Sequence, residues 1–261
     1  MHLTVLENYL WALGTALKVS LCVLAWYRRL YRRLPFFFLY VVLLVAEVLV
    51  VWSAYRLWGY TSRVAWYTYW FAVAALLVAR GFVVAELCRA SLRNYPAIWS
   101  LLRKALGLIA AIVTAAAAIV AYQNKIPIAA FILTAERGLE ISILVILVAM
   151  IGLAVRYEII PAPLERDIIL GLALYSTFQV LNDSFMNQWM APHFQWWNSA
   201  RILAFDVALL LWIAALRHPI PPPERPALLS AELSQHLLGD LLARMRAAIE
   251  ELKRSGKPPR K

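Results

Sequence analysis

The chain has 261 residues, of which 63% are hydrophobic and 16% are charged, and its formal net charge is +11. Soluble globular domains carry about 25% charged residues, so this composition excludes an ordinary soluble domain. Its apolar residues occur in long runs rich in Ala and Leu, without the strict alternation typical of transmembrane strands.

These apolar runs predict an all-α fold, a polytopic membrane protein built as a bundle of seven transmembrane helices. Each run is about 20 residues or longer, the length that an α-helix needs to cross a hydrocarbon core about 30 Å thick. The predicted helices occupy residues 5–27, 35–57, 64–88, 101–122, 128–155, 166–189 and 197–217.

The basic residues between these helices predict how the chain is oriented. If the N-terminus is outside, the inner loops receive ten Arg and Lys residues and the outer loops receive three. Because Arg and Lys accumulate in cytoplasmic loops, we expect an N-out, C-in protein of the bacterial inner membrane. The positive net charge is then mainly a topology signal, and it gives little reason to expect a nucleic-acid partner.

The composition changes sharply after the last predicted helix. We divide the chain into four parts: a transmembrane domain (1–217), a Pro-rich spacer (218–227), a cytoplasmic amphipathic helix (228–254) and a basic disordered end (255–261). The spacer should be stiff and extended because proline favours the polyproline conformation. The helix would place a row of apolar residues three and four apart on one face, namely Leu238, Leu241, Met245 and Leu252.

Two roles are open for this C-terminal helix. Its apolar row could pack on a partner helix, either a second copy of this chain or another cytoplasmic protein. It could instead lie against the membrane surface or the bundle. A helix that grips anionic lipid is usually basic on one side, whereas acidic and basic residues are balanced here.

Polar residues interrupt the fifth, sixth and seventh predicted helices at similar depths in the outer half of the membrane. A charge at the bilayer centre costs about 2.5–3.5 kcal/mol on insertion scales, so such residues should face one another. We expect a polar seam in which Arg137 and Arg201 face the carboxylates. The candidate ligand- or proton-binding residues are Glu136, Arg137, Glu140, Gln179, Asp183, Arg201 and Asp206.

This seam has two interpretations. It could be a set of salt bridges that fixes which helix packs against which. It could instead be a polar pocket open to the outside, or a path for protons or ions. The acids in the seam outnumber the bases, and carboxyl groups left without a cation in a low-dielectric site can carry protons. In the first three helices we expect structural pairing, with Glu47 as the partner of Arg80 or Lys18.

Motifs for catalysis or metal binding are not evident in the sequence. It contains no G-x-S-x-G or H-E-x-x-H motif and no phosphate-binding loop, and its histidines lie outside the predicted membrane core. We therefore expect no catalytic residues, no metal site and no cofactor. Whether the protein is an enzyme stays uncertain, with a non-enzymatic role favoured.

Four segments, RLPFFFLYVVLL, ELCRASLRNYPAIWSLLRKAL, ERGLEISILVILVAMIGLAVRY and IILGLALYSTFQVL, resemble a group of bacterial seven-helix membrane proteins of unknown function. The resemblance spans most of residues 25–215 and implies the same topology, but it implies no activity. Our leading hypothesis is a membrane sensor or adaptor with an outward-facing polar pocket and a cytoplasmic partner-binding helix. A small proton-coupled or small-solute transporter is the alternative, and a membrane enzyme is a weaker third.

Overall fold

A computed structural model describes residues 5–93, 95–124, 126–157, 162–185 and 194–217, and three separate positions, 239, 240 and 243. The side chains of residues 5–8, 127, 151, 153–157, 182–185 and 194–198 lie outside this description. Within the described residues the chain forms seven α-helices and one short 3-10 helix, with no strand.

The helices agree closely with the seven predicted apolar runs, which confirms the all-α prediction. They are α1 (Val5–Tyr27), α2 (Pro35–Trp58), α3 (Arg63–Ser91), α4 (Pro96–Tyr122), α5 (Pro127–Tyr157), α6 (Pro163–Phe185) and α7 (Phe194–Arg217). The largest difference at a helix start is in α4, which begins at Pro96 and not at residue 101. Proline suits the first turn of a helix because the amide hydrogen it lacks would have no partner there.

Five of these helices, α1 to α4 and α7, are long and apolar enough to cross a membrane. The other two are also long, with 31 residues in α5 and 23 in α6, and both contain acidic and basic residues. The protein is therefore membrane-embedded, and the ionisable residues of α5 and α6 need partners inside the bundle.

Glu86 connects the C-terminal part of α3 to the start of α2. Its carboxylate accepts hydrogen bonds from the backbone N–H groups of Phe36 (3.0 Å) and Phe37 (2.8 Å). The first N–H groups of a helix have no partner within the helix, and a negative charge is favourable at that end. Glu86 thus acts as an N-terminal cap supplied by a different helix.

Six of the helices form a closed ring. In order around the ring, α1 packs on α2, α2 on α3, α3 on α5, α5 on α6, α6 on α7, and α7 returns to α1. The fourth helix packs mainly on α5, outside the ring, and among its described residues only Ile98 and Ala117 are buried. The apolar side of α4 therefore faces lipid, while the other six helices enclose the core.

Trp212 of α7 is the largest fully buried side chain among the described residues. Its ring lies edge-on to Phe37 (5.4 Å between centroids) and Tyr40 (6.2 Å), and its Nε1–H donates to the carbonyl of Ile168 (3.1 Å). The ring also contacts the backbone at Gly171 of α6, where a Cβ atom would overlap the indole. Gly171 thus permits the close approach of α6 and α7.

We expect Gly171→Ala to destabilise the bundle by about 1–3 kcal/mol, because the rigid indole of Trp212 cannot move away without losing its own hydrogen bond. Gly107→Ala in α4 is the matched control, since no atom lies within 4 Å of its would-be Cβ. Alanine favours a helix over glycine by about 1 kcal/mol, so the control should be neutral or stabilising. Unfolding in detergent would compare them, and equal melting temperatures would contradict this packing.

Candidate functional site

Arg80 of α3 lies at the centre of a buried polar cluster. Its guanidinium donates to the carboxylate of Glu140 on α5, and the two residues are 5% and 0% exposed. The same guanidinium lies 4.7 Å from the ring centroid of Tyr175 on α6 and 6.0 Å from that of Tyr40 on α2. Arginine binds carboxylates and aromatic faces at once because its cation is planar and delocalised. One side chain thus contacts residues of three other helices.

The cluster continues toward the next turns of α5 and α6. The amide Nε2 of Gln179 donates to Oε1 of Glu136 (3.3 Å), which joins the two helices. We refer to Arg80, Glu136, Glu140, Tyr175 and Gln179 as the arginine cluster. Two of its buried oxygen atoms, Oε2 of Glu140 and Oε1 of Gln179, have no hydrogen-bond partner among the described residues. The cluster can therefore accept further protons or hydrogen-bond donors.

A second, partly buried cluster lies where α1 meets α2 and α7. The ammonium Nζ of Lys18 is 3.7 Å from Oε2 of Glu47 on α2 and 5.4 Å from the ring centroid of Phe205 on α7. Asp206, the residue after Phe205, also interacts electrostatically with Lys18. We refer to Lys18, Glu47 and Asp206 as the lysine cluster.

Asp206 is only 2% exposed, and neither of its carboxylate oxygens has a hydrogen-bond partner in the part of the chain that the structure describes. The carboxylate instead rests against the backbone of α1, where a Cβ atom on Gly14 would lie 2.6 Å from Oδ1. A buried ionised carboxylate is costly unless it is paired and hydrogen-bonded. Asp206 is therefore a buried carboxylate without the hydrogen bonds that would offset the cost of its charge.

The charges of the lysine cluster do not balance by themselves. One ammonium faces two carboxylates, so the fully ionised cluster would carry one negative charge in the bundle interior. A single proton on either carboxylate removes that charge. A metal cation would bind this cluster less favourably than a proton, because the ammonium of Lys18 would repel it.

Aromatic rings connect the two clusters. The ring of Phe205 lies edge-on to that of Tyr175, with 5.0 Å between centroids. A continuous series of contacts therefore runs from one cation to the other, in the order Lys18, the ring of Phe205, the ring of Tyr175 and Arg80. All four lie near the middle of their helices, as does Asp206. The two clusters thus occupy the middle of the bundle and involve all six helices of the ring.

The structure rearranges the predicted polar seam. Glu136 and Gln179 meet between α5 and α6, and Glu140 is bound by Arg80 of α3, which the predicted seam did not include. The long Arg80 side chain reaches Glu140 across the α3–α5 contact, and Arg137 is exposed.

The other predicted residues of the seam do not share one location in the bundle. Asp206 faces α1, because α7 closes the ring against that helix. Arg201 is half-buried, and Tyr69 of α3 interacts electrostatically with both Arg201 and Glu136. The side chain of Asp183 lies outside the described residues. The apolar row of the C-terminal helix is outside them too, at Leu238, Leu241, Met245 and Leu252.

Sequence reasoning did not identify Tyr175 or the role of Arg80. The sequence signal was present, because Arg80 is a charge deep inside an apolar run and must find a carboxylate at its own depth. The pairing of Glu47 with Lys18 was one of the two expected arrangements, and the structure shows it.

Glu47 also borders an open groove between α2 and α3, with a volume of about 580 Å³. The groove is otherwise lined mainly by apolar side chains, among them Leu43, Val50 and Phe71. The carboxylate of Glu47 is therefore in contact with the interior of the bundle on one side and with a groove in its outer surface on the other.

Comparison with known proteins gives no relative: no family model matches the chain, and neither a curated protein nor a solved structure matches it. The function must therefore be inferred from the chemistry of these two clusters.

We expect Arg80→Gln to destabilise the protein by about 3–5 kcal/mol, because it leaves Glu140 buried without its cation. Arg166→Gln is the matched control, since Arg166 is exposed and its pair with Asp167 (3.1 Å) lies at the surface. Exposed pairs contribute about 0–1 kcal/mol, so the control should change little. Adding Glu140→Gln to Arg80→Gln should restore part of the loss. Equal unfolding midpoints for Arg80→Gln and Arg166→Gln would contradict this role of Arg80.

Proposed function

We propose that this chain is a proton-responsive sensor or adaptor of the membrane, in which the lysine cluster binds the proton. The observation that supports this most strongly is Asp206, a buried carboxylate with no hydrogen-bond partner among the described residues. Intramembrane ionisable groups are costly, and those that persist commonly serve proton relays or ligand binding. A carboxylate needed only for packing would be expected to have a full set of partners.

The geometry of Lys18 supplies a way for the proton to change the structure. With Asp206 neutral, the ammonium pairs with Glu47, which is the arrangement observed. When Asp206 loses its proton, the ammonium is attracted toward α7 as well, and its pair with Glu47 weakens. Because these three residues belong to α1, α2 and α7, protonation shifts the packing of three helices. A ligand or proton alters a conformation only through such a differential interaction.

The remaining parts of the proposal rest on the sequence. The distribution of Arg and Lys supports seven spans with the N-terminus outside and the C-terminus in the cytoplasm of a bacterial cell. The segment after Arg217 would then carry the response to a cytoplasmic partner through its apolar row. The predicted outer pocket, to which Glu136 and Arg201 belong, would modulate the response from outside.

A small proton-coupled transporter is the second candidate. The groove beside Glu47 favours it, because a proton could pass from that carboxylate to Asp206 through the shared Lys18. Proton uptake by liposomes that contain the protein distinguishes the two. Steady flux that Asp206→Asn abolishes would favour the transporter, whereas a single uptake event without flux would favour the sensor.

We expect Asp206→Asn to melt at or above the temperature of the wild-type protein, because groups kept for function often reduce stability. The infrared spectrum of the variant should lack one neutral-carboxyl absorption that the wild-type protein shows. Glu140→Gln is the control, since its carboxylate is bound by Arg80 and its neutralisation should lower the melting temperature. A lower melting temperature for Asp206→Asn, with the absorption retained, would overturn the proposal.

A further inference from the structure

The connection between α1 and α2 is a short arginine-rich turn with unusual backbone geometry. It contains the 3-10 helix Leu30–Arg32, and the residue before that helix, Arg29, has φ 55° and ψ 36°. Arg29 is the one non-glycine residue with a positive φ angle in the described part of the chain. A side chain in this left-handed region costs free energy, and such strain concentrates at functional sites.

Two of the four arginines in this turn hold it against the bundle. Arg28 donates from Nη2 to the carbonyl of Arg217 at the end of α7 (3.1 Å). Arg33 donates from Nε (3.1 Å) and Nη2 (2.8 Å) to one carboxylate oxygen of Glu165 in α6. These contacts fix the position of the turn, so its other side chains extend from a rigid base.

The other two arginines, Arg29 and Arg32, are exposed, and neither has a carboxylate partner among the described residues. They are three residues apart, and the N–H of Arg32 donates to the carbonyl of Arg29 (3.0 Å). Leu30 and Leu34 are buried. The turn therefore points its apolar side inward and presents two guanidinium groups outward.

Three aromatic side chains lie in and next to this turn, and one of them is close to the guanidinium of Arg32. The rings of Trp26, Tyr31 and Phe38 form a triangle with centroids 5.9–6.0 Å apart. Trp26 is 67% exposed, and the guanidinium of Arg32 lies 5.8 Å from the Tyr31 ring. Exposed tryptophan and tyrosine rings are typical of the boundary between lipid and water. We refer to these rings as the aromatic triad.

We propose that Arg29, Arg32 and the aromatic triad bind an anionic phospholipid. The two guanidinium groups would bind the phosphate of its headgroup, since arginine forks match phosphate geometry. The triad would pack against the upper part of an acyl chain. The site favours an anionic lipid over a zwitterionic one, because the positively charged group of a zwitterionic headgroup would be repelled by the arginines. This inference is independent of the proton site.

Native mass spectrometry of the full-length protein in detergent tests the proposal. The probes are phosphatidylglycerol, phosphatidylcholine as the zwitterionic control, and glycerol phosphate as a soluble anion. The variant Arg29→Gln/Arg32→Gln should weaken phosphatidylglycerol binding roughly 10–30-fold, at the usual contribution of a basic residue near anionic lipid. The matched control, Arg103→Gln/Lys104→Gln in α4, removes the same charge from exposed residues outside the turn and should retain binding.

A second variant, Arg29→Gly, separates binding from folding. Glycine adopts the left-handed conformation without strain, so this variant should melt at or above the wild-type temperature while it binds phosphatidylglycerol more weakly. Three results would overturn the proposal: equal binding of the two lipids, equal weakening by both double variants, or full competition by glycerol phosphate. The last would indicate a site for free anions.

Discussion

The ion pair between Arg80 and Glu140 constrains the bundle more than any other contact described here. It joins α3 to α5 across the interior, and the aromatic faces of Tyr40 and Tyr175 attach α2 and α6 to the same cation. An unpaired arginine in this apolar interior would be costly, so the helices can pack only where these partners meet it. The arrangement of the ring, with α4 outside it, is consistent with this requirement, since every residue of the arginine cluster belongs to α3, α5 or α6.

The two clusters differ in how their charged groups are paired. In the arginine cluster, Arg80 is paired with Glu140 in direct contact, Glu136 accepts a hydrogen bond from Gln179, and the ring of Tyr175 lies against the cation. In the lysine cluster one ammonium is shared by Glu47 and Asp206. One carboxylate can therefore gain or lose a proton while the other stays paired with Lys18. The first cluster therefore suits a fixed scaffold, and the second suits a switch. The contact between Phe205 and Tyr175 places the switch directly against the scaffold.

The helices could be predicted from the sequence because their signal is local: long apolar runs begin after Pro35, Pro96 and Pro127. The presence of buried charges could be predicted as well, since Glu136 and Glu140 interrupt such a run. Their partners could not, because pairing depends on the order of helices around the ring. From the sequence we expected α5, α6 and α7 to share one polar seam. In the structure α7 also packs on α1, and Asp206 lies on that side, away from the expected seam.

The infrared spectrum of Lys18→Met tests most directly whether the ammonium of Lys18 balances the carboxylates of Glu47 and Asp206. Without the ammonium, ionised Glu47 and Asp206 would both lack a counter-charge, so both should be neutral. We expect the variant to gain one neutral-carboxyl absorption relative to the wild-type protein, and Glu47→Gln added to it should remove that gain. A spectrum unchanged from the wild type would contradict the shared-proton arrangement.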